Sequence, residues 1–544
     1  MIVIIWINFF GLCPVQRYHW LPYYTFYLSM ALTARRCQYL FWLFVLLHVI
    51  VWMTVPSLAR HELDSDSMMH FAWGQEWMGS YRLHPPLLPW VVAGFLKTVG
   101  INNWSYNLLT QLNFLVAFYC IWRLAREYLP PASALAAVCL LEFLPYFSFF
   151  SMRLNHSSML IPMWALTTLL AYFAIHRGGS RYWIALGLSA ALAMLTKYYS
   201  VTLLAGIGFY LLFFEQGRKC WGTRGPYLAL LTFGAVIGWH LWYVFSHQVG
   251  TVAHVGDYLT PADLQVRWRS IRFLLSQLLY LSPLVALFLF VLYQDRRSSP
   301  VSQQQKTAVQ SVPTRSMRLF LYWMLLFPLL GTTIVGFAGG IDISSRWGGP
   351  TLSLAGIGLL LQWPLSQNSI ACRKLITAAF IWVLILPTAL LLTGFAGAYD
   401  DRYHFPGKEL AGEITRLWRD AYQTPLGIVG GGWVAPDSIA FHSPDHPSVL
   451  QHMSQRWNPW ISSQEISELG IAVVCLEDDV LCIKNAGSLF PGRTMKTLVA
   501  TAEPTLFFSG SQREVRYLFV GPGETRLKLD AIEPMPMRQE ELKE

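Results

Sequence analysis

Charge is what this chain has least of. Only 13% of its 544 residues are Asp, Glu, Lys or Arg, against 54% hydrophobic ones, and so small a share of charge excludes a water-soluble globular protein. Cysteine is scarce as well, with eight residues. Six of them fall in or near apolar runs without metal-ligand spacing, which excludes a disulfide-stapled scaffold. The opening run MIVIIWINFFGL lacks both the basic start and the small-residue cleavage site of a signal peptide. Basic residues outnumber acidic ones, 40 to 31, for a formal net charge of +9. They sit mostly in short loops between apolar runs, where they set orientation, and this argues against nucleic acid as a partner.

What is present is a series of apolar stretches, each suited to crossing a hydrocarbon core of about 30 Å. They run Tyr39–Pro56, Trp104–Ile121, Ala132–Phe150, His156–Ile175, Trp183–Leu195, Tyr199–Phe214, Tyr227–Phe245, Phe273–Tyr293, Leu319–Phe337, Pro350–Pro364 and Leu375–Phe395, about eleven spans in all. The reading is an α-helical polytopic membrane protein. Arg35 and Arg36 precede the first span, and Arg123, Arg126, Arg177, Arg181, Lys219, Arg224, Arg373 and Lys374 fall in alternate loops, so those loops are cytoplasmic. The segment 57–103 and everything after residue 395 then lie on the opposite face. Residues 1–29 are an extension of uncertain standing, with Met30 an alternative start. Residues 30–395 form the membrane domain, and 396–544, where charge alternates with short β-like stretches such as GIAVVCL and VRYLFVG, form a C-terminal α/β domain of about 150 residues. Cys475 and Cys482 lie in this external part; a disulfide and a buried strand cysteine are both open readings.

Polar groups gather on the external side, and no charge is expected in the middle of a span. The segment DSDSMMHFAWGQEWMGSYRLHPPLLPW, Asp64 to Trp90, packs acidic, aromatic and imidazole groups directly beyond the first span. Asp66 is a candidate general base, with Glu62 and Asp64 competing for that role or merely solvating the loop. His84 before Pro85 and Pro86 reads as a rigid entry to a helix, its imidazole either binding phosphate or capping structure. Lys197, in LAMLTKYYSVTLL, stands at the turn between two short spans. An ammonium there costs about 2.5–3.5 kcal/mol in hydrocarbon unless an anion or water meets it; the alternative is a lysine snorkelling beside Tyr198 and Tyr199. Arg346 in SSRWGGP, beside Trp347, offers a planar fork of donors for phosphate, and Arg153 in FFSMRLNHSS falls on the same face. The exposed-side VRWRSIRF, with Arg267, Arg269 and Arg272, suits anionic headgroups or simple anchoring at the interface.

The pattern formed by Asp66, Trp73, Gln75, Tyr81, His84, Pro85, Pro86 and Leu87 resembles the first outer loop of polyprenyl-phosphate-dependent GT-C glycosyltransferases, in the bacterial branch of aminoarabinose transferases and protein mannosyltransferase-like enzymes (glycosyltransferase family 39/83-like). The stretch around Lys197 and Tyr198 looks like that family's L-x-K-Y element, and SRWGGP like its late outer loop. The resemblance implies a GT-C fold, an inner-membrane location with the site facing the periplasm, and transfer of a sugar, with inversion, from a polyprenyl phosphate to a lipid A, glycan or protein acceptor. It also implies that Asp66 is the catalytic or acceptor-orienting acid and that Lys197 meets the donor phosphate; Arg346, His84 and Arg153 are further candidate phosphate contacts by their own chemistry, and Trp73, Gln75, Tyr81, Tyr198 and Trp347 are candidate pocket residues. No cofactor is implied. The family usually carries an acidic pair where this chain has Asp66–Ser67, so Asp64 is the available second carboxylate. Two other functions remain in view: a flippase for lipid-linked sugars, and an inactive relative serving as a scaffold.

Overall fold

The structure is a computed structural model that describes residues 32–247, 264–298, 313–341, 343–365, 370–395, 404–504 and 510–524. The extension 1–29, the alternative start Met30, the domain boundary at residue 396 and most of the polar loop before Arg315 lie outside the described residues. The chain is a multi-pass membrane protein. Its helices are α1 (Ala34–Ala59), α2 (Ser65–Gln75), α3 (Leu87–Val99), α4 (Asn103–Tyr128), α5 (Pro131–Cys139), α6 (His156–His176), α7 (Ser180–Thr196), α8 (Val201–Phe213), α9 (Glu215–Cys220), α10 (Gly225–Ser246), α11 (Leu264–Ser298), α12 (Arg315–Gly339), α13 (Gly349–Leu352), α14 (Ala355–Gln362) and α15 (Ile370–Phe395). All eleven predicted stretches are helical over most of their length. Among the described residues, seven helices are long and apolar enough to cross a membrane; the other stretches are shorter or broken, as α7 and α8 are on either side of Lys197. Helix α3, which no predicted stretch covers, follows the two prolines of the first outer segment.

Burial inside the bundle is aromatic. Phe41 of α1 stacks on Trp122 of α4 at 4.3 Å between ring centroids, and Phe44 meets Phe118 edge-on. The expectation of no mid-span charge is overturned here. Glu142, in the 3-10 turn Leu140–Phe143 that continues α5, lies 2.8 Å from His48 Nδ1 and accepts from Trp52 Nε1 at 2.9 Å. All three side chains are fully buried. In a low-dielectric interior a carboxylate is tolerated only with such partners, and these come from α1, 94 and 90 residues earlier in the chain, a pairing that local spacing does not reveal.

Beyond the bundle, α16 (Gly407–Tyr422), β1 (Ile428–Gly431), α17 (Val434–His442), β2 (Ser448–Gln451), α18 (Ser463–Leu469), β3 (Ile471–Leu476), α19 (Val480–Leu489), β4 (Lys496–Thr501) and β5 (Gln512–Val520) build a five-stranded sheet in the order β2-β1-β3-β5-β4. The first three strands are parallel; β5 runs antiparallel to both β3 and β4. Leu410, Ala411, Ile414 and Trp418 put one apolar face of α16 onto the sheet, with Val429, Val449 and Val474 beneath, as a 3.6-residue period requires. Cys475 of β3 and Cys482 of α19 form a disulfide, their Cα atoms 5.7 Å apart.

A polar seam joins this sheet to the first outer segment. Glu62 accepts from Ser438 Oγ at 2.8 Å and lies 2.9 Å from His442 Nε2. Ser448 donates to Glu76 at 2.7 Å, and Trp73 Nε1 to Gln451 at 3.0 Å. Gly407 comes so close to Glu62 and Ser438 that a Cβ there would collide with both. Glu62, 1% exposed, is therefore a latch for the C-terminal domain. Burial opposes the charged form of His442, but the charge and hydrogen bond of Glu62 prevail and hold it above its ordinary value of 6.5. A raised histidine contributes stability that is fully present below that ordinary value and fades as pH rises through the raised one. Melting of the sheet domain, followed by far-ultraviolet circular dichroism, is expected to move to lower temperature across that alkaline window. Glu62→Ala, which leaves His442 and Ser438 buried without their acceptor, is expected to cost about 3–5 kcal/mol and to flatten the pH dependence.

Candidate active site

Lys197 is set by the interruption between two helices. The backbone leaves α7 at Thr196, takes an extended conformation at Lys197 (φ −161°, ψ 132°), and passes through the 3-10 turn Tyr198–Ser200 into α8. The ammonium donates to Ser157 Oγ at 3.1 Å and stands 4.9 Å from the ring centroid of Trp347. Ser157 lies in the first turn of α6, whose open amides are capped by the Asn155 side chain. Loss of hydration lowers the Lys197 pKa to about 8; Asp66 opposes the fall and Arg346 adds to it. Lys197, Asp66 and Arg346, separated by 131 and 280 residues in sequence, thus lie within electrostatic reach of one another. Their three segments meet on one side of the bundle.

Arg346 and Trp347 ride on the 3-10 turn Ser345–Gly348. That turn is held from below: the Tyr146 hydroxyl is 2.6 Å from the Ser345 carbonyl, and Gln277 Nε2 of α11 donates to the same oxygen at 2.8 Å. Gly348 lies directly against the Gln277 amide, where a Cβ has no room. Trp347 also packs on Tyr199 at 4.9 Å, so the indole bridging Lys197 and Arg346 is wedged on two sides.

The outer segment contributes Asp66 from the first turn of α2. Asp64 is committed to the helix start: it caps α2, accepting from Ser67 N at 3.3 Å and from Ser67 Oγ at 3.0 Å. Ser67 itself is 1% exposed, so the position where the family carries another acid is turned inward here. A carboxylate does reach the region from elsewhere. Asp437 of α17 is fully buried and receives both of its hydrogen bonds from Gln451 Nε2, at 2.8 and 2.9 Å. Burial pushes its carboxyl well above the usual range, and the charge of Asp66 adds to the rise against the pull of Gln451. Sequence reasoning missed Asp437 and Gln451, and nothing local marks them.

His84 lies 3.8 Å from His156 between ring centroids, and His156 lies 4.7 Å from His70 of α2. Burial lowers the His70 pKa to about 3, so this imidazole is neutral. Among the described residues no group of three His, Cys, Asp or Glu side chains is arranged to hold a metal ion. Of the expected pocket residues, Trp73 and Tyr81 stack on each other at 5.2 Å and 8°, and Trp73 is fastened to Gln451; both belong to the wall that joins the outer segment to the sheet. Gln75 ends α2 with its amide nitrogen buried and without a hydrogen-bond partner. The Tyr198 hydroxyl is 2.8 Å from His240 Nε2, and His240 Nδ1 is 3.0 Å from the Gly79 carbonyl, so Tyr198 ties the Lys197 turn to the outer segment. Arg153 follows a 3-10 turn, three residues before His156.

Comparison with known proteins adds three findings. Residues 83–243 match the dolichyl-phosphate-mannose-protein mannosyltransferase family, a range that holds His84, Arg153, His156 and Lys197. The lipid A galacturonosyltransferase RgtD of Rhizobium johnstonii is 23% identical over 356 residues, covering 64% of this chain and 72% of that protein. Among solved structures, ArnT from Cupriavidus metallidurans superposes with a TM-score of 0.55 and 13% identity in the apo state, and with 0.57 and 12% bound to undecaprenyl phosphate; each pairing covers 87% of this chain and 97% of the other.

Proposed function

We propose that this chain, a GT-C membrane glycosyltransferase by sequence match and fold, moves a sugar from a polyprenyl phosphate, the ligand class bound by the ArnT neighbour, onto a lipid acceptor, with lipid A the acceptor class that the name of RgtD suggests. The observation that carries this reading is the placement of Lys197 at a helix interruption, 4.9 Å from the ring of Trp347 that follows Arg346, with the charges of Asp66 and Arg346 both acting on it. A prenyl tail stays among the exposed apolar helix faces while its phosphate reaches the two cations. In the reaction, an acceptor oxygen attacks the anomeric carbon of the sugar. The bond between that carbon and the phosphate oxygen breaks, the departing phosphate gains negative charge beside Lys197 and Arg346, and Asp66 takes the acceptor proton when the acceptor is a hydroxyl. One displacement inverts the anomeric carbon.

The site is proposed to face the periplasm from the bacterial inner membrane. Two features support that orientation: arginines and lysines crowd the loops at the other end of the helices, and the Cys475–Cys482 disulfide of the sheet domain suits an oxidising compartment. The test is mass spectrometry of envelope glycolipids from a strain lacking the chain. Loss of one sugar mass from one lipid, restored by the wild-type chain alone, identifies donor sugar and acceptor together. Accumulation of an intact lipid-linked donor on the cytoplasmic face, with no acceptor losing a sugar once donor is supplied outside, would make the chain a flippase instead.

A further inference from the structure

Next to the wall that binds the outer segment to the sheet lies a group of side chains that the transfer chemistry does not use. His452 follows the last residue of β2. It is 7% exposed, and neither of its ring nitrogens has a hydrogen-bond partner. Its backbone and that of Met453 are left-handed, at φ 54° and 57°, a conformation that non-glycine residues adopt at a cost and that recurs at binding sites. Trp433 and Trp457 wall the imidazole, with ring centroids 5.2 and 4.7 Å away, and the two indoles stand at 90° to each other. Arg82, from the outer segment, places its guanidinium 5.1 Å from the Trp457 ring centroid. Trp433 and Trp460 keep part of their ring surface exposed and pack on the same small cluster as Trp73 and Tyr81.

A buried imidazole with both nitrogens unmet is rare, because each lost hydrogen bond costs free energy that packing alone does not return. Burial, with Arg82 adding to it, lowers the His452 pKa to about 4. The ring is therefore neutral, offering one donor and one acceptor, the complement of a hydroxyl group rather than of an anion. Trp433, held at right angles by the buried Trp457, keeps part of its ring exposed and supplies an apolar face suited to the C–H face of a ring that also carries hydroxyls.

We propose that Trp433, His452, Trp457 and Arg82 form a sugar-binding subsite, at the seam between the first outer segment and the C-terminal domain, that takes a pyranose ring of the acceptor glycolipid. Arg82 gives the subsite tolerance for an acidic substituent on that ring. The inference rests on the transferase reading for its choice of acceptor, though the chemistry of the subsite does not depend on it. The subsite adds to the sheet domain a role in holding the acceptor.

The test uses the full-length protein in lipid nanodiscs, with methyl β-glucoside and a glucosamine disaccharide bisphosphate as probes, read by saturation-transfer NMR. His452→Gly removes the imidazole without straining the left-handed backbone; Trp433→Ala and Arg82→Gln remove the ring face and the charge. Wild-type protein is expected to transfer saturation to ring protons of both probes; His452→Gly, through lost hydrogen bonds, and Trp433→Ala, through the lost ring face, are each expected to weaken both about tenfold, and Arg82→Gln to weaken the bisphosphate alone. In turnover assays the KM for acceptor is expected to rise about tenfold with the KM for donor unmoved. A rise in donor KM alone would keep the sugar subsite and assign it to the donor's sugar. Binding and both KM values unchanged in folded variants would overturn the proposal, leaving His452 with ordered water only. Failure of the transferase reading is separate: it would show as sugar binding intact and no transfer by any variant or by wild type.

Discussion

Asp66→Asn is expected to lower kcat by about a hundred- to ten-thousandfold, the range that a positioned general base contributes, with little change in donor KM. Asparagine keeps the size and hydrogen-bonding outline of the side chain but takes no proton. Asp64→Asn separates base from scaffold, since Asp64 spends both carboxylate oxygens on Ser67 at the start of α2; its loss is expected to weaken the helix cap by about 1 kcal/mol and to leave most of kcat in place. The assay is transfer of radiolabelled sugar in nanodiscs at saturating donor. A kcat for Asp66→Asn within a fewfold of wild type would move the base elsewhere, and Asp437→Asn is the next substitution to make, because that carboxyl lies on the sheet side and the charge of Asp66 helps to raise its pKa. An acceptor that is already an anion would also reduce the demand for a base, and acceptor identity from glycolipid mass spectrometry distinguishes the two cases.

Lys197→Ala is expected to raise the donor KM and reduce kcat together, by roughly ten- to a hundredfold in each, because a charge-assisted hydrogen bond contributes about 1.5–3 kcal/mol and the phosphate gains charge as it leaves. Wild-type enzyme carries a second signature of the same group. With loss of hydration and Arg346 lowering its pKa to about 8, Lys197 is charged at neutral pH and loses its proton as pH rises through that value. The donor KM of wild type is expected to climb above pH 8, while Lys197→Arg, which stays charged throughout, shows a flat alkaline limb even if its absolute KM is worse. The profile is read from initial rates over a range of donor concentrations. An alkaline limb that persists unchanged in Lys197→Arg would assign the titration to another group.

The bundle was legible because crossing a bilayer leaves few solutions: each apolar stretch read from composition is helical, and the break at Lys197 falls where a lone ammonium interrupts LAMLTKYYSVTLL. Asp66, His84, Lys197 and Arg346 were readable as candidates because charge is rare enough here for each instance to stand out. What sequence could not give is pairing across distance. Glu62 looked like one of three equal acids in a loop, yet its partners Ser438 and His442 lie some 380 positions away. Glu142 passed as an incidental residue of a span because His48 and Trp52 sit on another helix. Asp437 and Gln451 lie in a domain whose composition says only that it is soluble. Cys475 and Cys482 were seven residues apart and still ambiguous, since a short loop permits a disulfide without requiring one.

The seam at Glu62, Glu76 and Trp73 has a further meaning for biogenesis. Every partner on its far side, from Ser438 to Gln451, leaves the ribosome after all the described membrane helices have been made. A chain still being synthesised thus carries Lys197 and Arg346 in place, but the segment of Glu62, Trp73 and Glu76 has not yet met the residues that fasten it. Domains fold as units and the N-terminal ones first, so the seam closes only once the last described part of the chain has been made. Truncation before Ser438 is expected to give an inserted protein whose Glu62, Trp73 and Glu76 lack the partners that fasten them.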